Sequence, residues 1–349
     1  MITELTTDSP QWKNFLESHD HLIIHRPEWK EFIEKTFLKI KVGYLSIQEE
    51  DKIKSILPFF FQPSNLILNW MLGKNSQEKA ISSSFYEYGG LAGKKISGEE
   101  WKEIFLELRK KFPLAKFLEI REGLDNSYPD YAVKRIFLKR FVLPLSSEKE
   151  VWQNIQKSKR KAIKKSLKEV TVKEVPFTML KELYSLYINN MKRFGSLPYP
   201  KRYFINFYKC IVNKNLGKVM GAFYKEKLIA VLTGVTVSKR IHILINVSDK
   251  SFLSLRPNDA VHWYFIKWGC DKGYSYFDFG RTAEDRGHFE YKGKWGGELK
   301  DLSYYYFPLK ESVPNFDQKN NPRCYSFTIK FMPNIILEKI GSWFRQFLY

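Results

Sequence analysis

The most distinctive stretch of the chain for chemistry is residues 276–297, YFDFGRTAEDRGHFEYKGKWGG. It opens as a strand, passes through Gly280-Arg281, crosses a polar loop and ends in Tyr291-Lys292, Trp295 and Gly296-Gly297. Charge and glycine together at a strand end suit a ligand site, because α/β sheets bind ligands beyond the ends of their strands. Arg281 has the guanidinium fork that grips a phosphate or carboxylate bidentately. The alternative is that it pairs with Asp278 or Asp285 and merely closes the loop. Asp278 is a candidate general base, and the alternation Phe277-Asp278-Phe279 equally allows it a structural partner.

A second concentration of charge lies at residues 151–170, expected as one helix carrying Trp152, Ile155, Ile163 and Leu167 on its apolar face. Lys157, Lys159, Arg160, Lys161, Lys164, Lys165 and Lys168 crowd roughly three turns of it. These cations repel one another, so an anionic partner would relieve a cost. Lys159, Arg160, Lys161 and Lys164 are therefore expected to bind a polyanionic donor such as tRNA; a solvated outer face is the plainer alternative. The whole chain points the same way, with 58 Lys+Arg against 38 Asp+Glu and a net charge of +20. Such a field favours tRNA, nucleotide-linked substrates or an anionic membrane surface, unless it reflects a lysine-rich composition bias.

Several classes of chemistry fall away. Cys210, Cys270 and Cys324 are far apart and form no CxxC or Cys/His cluster, which argues against zinc and against a disulfide scaffold. No GxSxG or Walker-type loop is present, so hydrolase and nucleotidase readings have no support. His19, His21 and His25 would share a face of a strand, but the segment reads as a loop, and no metal is expected. The N-terminus lacks a basic region followed by an apolar core, and no window reaches the roughly 18 apolar residues of a spanning helix. A cytoplasmic protein is expected.

At 349 residues and 44% hydrophobic content, the chain is large enough for two packed domains. Residues 9–18 and 27–38 have helical patterns, 41–48 and 53–61 read as strands, 101–112 as a helix, and 117–121 and 137–145 as strands. Ser147 and Glu150 have capping-box spacing and open a new unit. Helices at 178–194 and 201–213 follow, then strands at 218–224, 227–237 and 240–247. A helix at 259–272 precedes strands at 276–279 and 302–308. Domains are expected at 1–145 and 146–310, followed by a linker and one amphipathic helix in 311–349. That last helix, 334–349, places Ile336, Ile340, Trp343, Phe344, Phe347 and Leu348 on one face. It either packs on the body or rests on a membrane.

The pattern DFGR, loop, aromatic-Lys-x-x-Trp-Gly resembles the C-terminal motif of FemAB-like proteins, within the broader GNAT-type acetyltransferase group that includes exosortase-associated relatives. His25-Arg26-Pro27-Glu28-Trp29 resembles their entry motif. Residues 84–90, SFYEYGG, resemble their Tyr-Gly-Gly loop, and residues 152–168 their basic helix. The similarity runs in order over roughly residues 10–308.

This resemblance implies an α+β (α/β) fold with tandem GNAT-like domains, mixed and mostly antiparallel sheets, and flanking helices. It implies transfer of an acyl or aminoacyl group to an amine on a cell-envelope precursor, peptidoglycan-like or lipid-linked. It implies no tightly held cofactor; aminoacyl-tRNA or acyl-CoA would serve as co-substrate. Lys292 matches the motif lysine, and acyl transfer passes through an oxyanion that a fixed cation stabilises. Glu87 and Tyr88 would border the acceptor, Arg193 would contact its phosphate, and Arg26 is a further candidate of that kind. Tyr291 and Trp295 complete the motif, as ligand contacts or as packing.

Two alternatives stay open: an acyl-CoA-dependent N-acetyltransferase acting on a sugar or small amine, and a non-catalytic RNA- or membrane-binding module. Against CoA, residues 251–258, SFLSLRPN, contain no glycine where a pyrophosphate loop would expose backbone N–H groups at a helix start.

Overall fold

The computed structural model of the chain describes residues 1–61, 80–85, 88–284, 287–310 and 324–345. It divides into two compact units, Met1–Phe137 with Leu302–Arg323 and Phe344–Tyr349, and Leu138–Asp301 with Cys324–Trp343. The change at Phe137/Leu138 falls within a strand, ahead of the capping-box serine. The chain rejoins the first unit at Leu302, so residues 302–310 do not stay with the second.

In the first unit, α1 (Pro10–Ser18) and α2 (Pro27–Thr36) each begin on a proline, whose missing N–H is harmless in a first turn. Strands β1 (Ile2–Glu4), β2 (Lys41–Glu49), β3 (Lys52–Phe61) and β4 (Ala80–Ser82) pair antiparallel in that order, and β5 (Ala92–Gly93) adds to β3. Helix α3 (Gly98–Lys111) starts earlier than its apolar pattern. Ser97 Oγ accepts from the Glu100 N–H at 3.2 Å, and the Glu100 carboxylate accepts from the Ser97 N–H at 2.6 Å. β6 (Phe117–Arg121) runs parallel to β4 and antiparallel to the strand Glu298–Pro308. Trp101, Ile104 and Leu108 of α3 pack on Leu57, Leu118 and Phe307 of this sheet.

The Tyr-Gly-Gly loop is locked into the same unit. Gly89 N–H donates to Arg121 O at 2.7 Å, and His25 Nε2 donates to Gly90 O at 3.0 Å. Gly90 stands at φ +99°, and a β-carbon there would lie 2.7 Å from the Tyr128 hydroxyl and 2.8 Å from Glu122 Oε2.

The second unit opens within β7 (Val133–Pro144), at Leu138. The helix expected over 151–170 is two helices, α4 (Glu148–Asn154) and α5 (Lys157–Ser166), with Ile155 extended between them at ψ 135°. The break frees the Gln156 N–H to donate to Lys294 O at 3.1 Å, which ties the basic helix to the 276–297 motif. β8 (Thr171–Glu174), α6 (Leu180–Phe194), α7 (Lys201–Cys210), β9 (Gly217–Tyr224), β10 (Lys227–Val237) and β11 (Arg240–Ser248) follow. Next come α8 (Pro257–Asp271), β12 (Tyr276–Thr282), α9 (Gly287–Gly293) and β13, the strand Glu298–Pro308 already met.

The sheet order in this unit is β7-β12-β11-β10-β9-β8. All neighbours are antiparallel except β11 and β12. α9 lies where a polar loop was expected. The C-terminal region holds two helices, α10 (Cys324–Phe331) and α11 (Asn334–Phe344), separated at Pro333. Among the described residues no helix is long and apolar enough to cross a membrane.

Replacing Gly90 by alanine is expected to lower stability by about 1–3 kcal/mol, from positive φ and the close hydroxyl and carboxylate. Urea unfolding checks this, and an unchanged midpoint would show that the loop yields.

Candidate active site

The second unit's sheet opens at one place. β11 and β12 run parallel only through Arg240↔Tyr276, Ile241↔Phe277 and His242↔Asp278. Beyond these three pairs the strands have no register with each other, although β11 continues to Ser248 and β12 to Thr282. On its other side β12 pairs with β7, and that register shifts between Asp278 and Arg281. A bulge next to a parting pair of strands re-aims backbone groups out of the ladder. Lys292 of α9 meets that need: its Nζ donates to Gly280 O and to Arg281 O, each at 2.9 Å. Two carbonyls thereby fix an ammonium group at the open end of the sheet.

Asp278 does not fit the role of general base. It is fully buried, Oδ2 accepts from Arg140 Nη1 at 3.1 Å, and Oδ1 accepts from the Gly280 N–H at 2.9 Å. Arg140 is buried as well, so the carboxylate is the counter-charge that allows a guanidinium inside the sheet. Arg281 sits three residues further along β12, partly exposed at the bulge, and its carbonyl is one of the two that hold Lys292. Asp285, the other partner considered for Arg281, lies outside the described residues.

Lys159 is the second departure. It was expected on the outer, polyanion-facing side of the basic helix and is instead buried. Its Nζ donates to Asp259 Oδ1 at 2.6 Å and lies 3.5 Å from the Tyr291 ring centroid and 5.0 Å from that of Trp295. Burial lowers the lysine's pKa, and Asp259 partly restores it. Asp259 stands in the first turn of α8 and also accepts from Arg256 Nε at 2.8 Å. Arg256 itself adopts the left-handed conformation at φ 58° immediately before the helix.

Tyr291 and Trp295 are thus the aromatic walls of a buried lysine rather than exposed ligand contacts. Burial and the nearby Asp259 push the Tyr291 phenol well above its ordinary range. His262 completes the cluster. Its Nδ1 donates to Asn258 O at 2.8 Å, the ring stacks on Phe279, and burial lowers its pKa to about 4.

The remaining candidates scatter. Arg160 donates to Trp152 O at 3.2 Å and Gln153 O at 2.8 Å, closing the end of α4. Lys161 and Lys164 are exposed, as a polyanion contact requires. Arg193, at the end of α6, donates to Asn190 Oδ1 at 2.8 Å, and the adjacent Phe194 meets His288 of α9. In the first unit Arg26 is engaged by Glu28 through Nε at 3.1 Å and Nη2 at 3.3 Å. Tyr88 is buried against Gly123, so it shapes the loop rather than lining an acceptor site. Glu87 lies outside the described residues. His25 is buried with both ring nitrogens on backbone partners. Among the described residues no three His, Cys, Asp or Glu side chains converge as metal ligands would.

Sequence reasoning missed Asp259, His262 and Arg140. Lys159 carried a signal that would have found its partner: it continues the i, i+4 stripe of Val151, Ile155 and Ile163, all buried. A lysine on a core stripe demands an acid opposite it.

Lys159→Met is expected to cost about 3 kcal/mol of stability, because it leaves Asp259 buried and under-paired. Lys161→Glu with Lys164→Glu should change stability by no more than about 0.5 kcal/mol. Urea titration of both variants separates the buried lysine from the exposed ones. For His262, the unfolded ring binds protons near pH 6.5 and the folded ring only near pH 4. Its contribution is therefore complete above pH 6.5 and falls by up to about 3 kcal/mol as pH drops towards 4. Unfolding midpoints measured across that range should be less steep in His262→Gln.

Residues 150–293 match the family described as Acetyltransferase (GNAT) domain. No curated protein matches the chain. Among solved structures, FemX is similar at 13% identity over 88% of this chain and 97% of its own, with a TM-score of 0.66. The C-terminal domain (DUF2156) of a putative lysylphosphatidylglycerol synthetase from Agrobacterium fabrum is similar at 7% identity over 86% and 91%, with a TM-score of 0.57. A tandem GNAT protein from the clavulanic acid biosynthesis pathway is similar at 10% identity over 90% and 99%, with a TM-score of 0.52. These likenesses bear out the mixed α/β, tandem GNAT-like fold and the FemAB-like, GNAT-type resemblance. Residues 150–293 are thus similar to a GNAT acetyltransferase domain, within a fold that the chain shares with FemX and the tandem GNAT protein.

Proposed function

We propose that the chain forms an amide bond between an aminoacyl group, delivered by aminoacyl-tRNA, and an amine on a peptidoglycan-like or lipid-linked envelope precursor. The observation that carries the choice of donor is the first turn of α8. In that turn the Asp259 carboxylate stands between Lys159 and Arg256. Lys159 and Arg256 are thereby committed to that carboxylate, and residues 251–258 ahead of the helix hold no glycine, where a pyrophosphate loop would expose backbone N–H groups. The exposed Lys157, Lys161, Lys164, Lys165 and Lys168 offer a separate polyanion surface. The envelope acceptor draws on the likeness to FemX and to the putative lysylphosphatidylglycerol synthetase.

In this reading the acceptor amine attacks the carbonyl carbon of the donor ester. Lys292, held by two carbonyls, supplies a fixed positive charge for the oxyanion, and collapse releases the ribose hydroxyl. Because its geometry is set before substrate arrives, little reorganisation accompanies charge development. Arg281 and Arg193, near α9, would hold acceptor phosphate.

Lys292→Ala is expected to lower turnover by about 10²–10³-fold, with Lys292→Arg intermediate. Filter binding of bulk aminoacyl-tRNA should weaken steeply with salt. Lys161→Glu with Lys164→Glu should flatten that dependence by roughly one unit of log–log slope for each lysine replaced. The second reading, a CoA-dependent N-acyltransferase, is favoured by the GNAT family match. Saturable acetyl-CoA binding without tRNA binding would establish it and end the first.

A further inference from the structure

α11 seats on the second unit by one narrow side. The residues that it buries are Leu337 and Gly341, and a β-carbon on Gly341 would lie 2.6 Å from Pro198 O. Asn334 Nδ2 donates to Asn189 Oδ1 at 2.9 Å, which fixes the helix against α6. Of the apolar side expected either to pack or to rest on a membrane, Ile340 and Phe344 are half-buried, while Ile336 and Trp343 face outward and are joined there by Ile335. Ile335 is 73% exposed, Ile336 47% and Trp343 41%, and Phe331 at the end of α10 is 71% exposed. Lys339 falls on the same helical face, between Ile335 and Trp343. Ile335 and Lys339 line one surface cleft with Lys201 and Arg202, and Lys330 is exposed at the end of α10. Glu338 is the single carboxylate among the residues lining that cleft.

We propose that this face is a docking surface for an anionic lipid bilayer. Isoleucine and tryptophan projecting from a helix that is anchored on its other side, with lysines whose stems can lie along apolar surface, fit the headgroup boundary. The cationic rim favours anionic headgroups and opposes a second copy of this chain, which would bring the same cations together. The helix would lie in the plane of the interface and not cross it. The inference stands apart from the acyl donor and from Lys292; it concerns only where the protein works.

The test is co-sedimentation of the full chain with phosphatidylcholine vesicles, with and without phosphatidylglycerol, at physiological salt. The wild type is expected to bind only the phosphatidylglycerol vesicles. Ile335→Asp with Ile336→Asp should lose binding by roughly tenfold or more with an unchanged unfolding midpoint. Lys161→Glu with Lys164→Glu, which alters only the basic helix, should keep most of it. Three results would each overturn the proposal. The wild type could fail to bind. The isoleucine variant could bind as well as wild type, leaving charge alone as the cause. Lipid-free self-association abolished by the same variant would assign the face to a second copy.

Discussion

Lys159 and Asp259 constrain the second unit more than any other pair of side chains described above. An ammonium out of water is tolerable only with a carboxylate in contact and polarisable faces around it. Meeting that requirement forces α5, the first turn of α8 and the end of α9 to one point, because each supplies one of the groups. The aromatic cluster of His262, Phe279, Tyr291 and Trp295 then closes around the pair. Removing Asp259 leaves Lys159 buried without a counter-charge, and removing Lys159 leaves Asp259 with Arg256 alone.

The same arrangement divides the cations of the basic helix into two populations. Lys159 and Arg160 turn inward to hold neighbouring elements, while Lys157, Lys161, Lys164, Lys165 and Lys168 stay in solvent. A parallel division runs along β12. Asp278 faces Arg140 inside the sheet, and the carbonyls two and three residues later face Lys292 at the open end. One strand therefore carries both the ion pair that stabilises its interior and the anchor for the candidate catalytic ammonium.

Most of the architecture was legible because its causes are local. Short, mostly apolar runs marked β2, β3, β9, β10 and β11, Pro27 marked the start of α2, and Ser147 with Glu150 marked the start of α4. The breaks and the long-range partners were not legible. Nothing local at Ile155 announces an extended residue; the reason is a backbone bond to Lys294, 138 positions downstream of Gln156. α9 is short and polar, so its helicity comes from Tyr291 and Lys292 meeting their partners rather than from its own pattern. For Asp278 and Trp295, residue type suggested function, but burial made them structural. In α11 the apolar residues outnumber the positions that can face the protein. Periodicity alone could not say that the narrow Leu337–Gly341 side would be chosen over the broad Ile335–Trp343 side.

Tyr291 and Lys292 are consecutive on α9, yet one lies under Lys159 and the other reaches back to β12. Consecutive residues of a helix point about 100° apart, and both directions are in use. A single residue inserted or deleted ahead of this pair within α9 would swing each side chain into the other's territory. The spacing between β12 and Trp295 therefore constrains the length of the chain as well as its residue types.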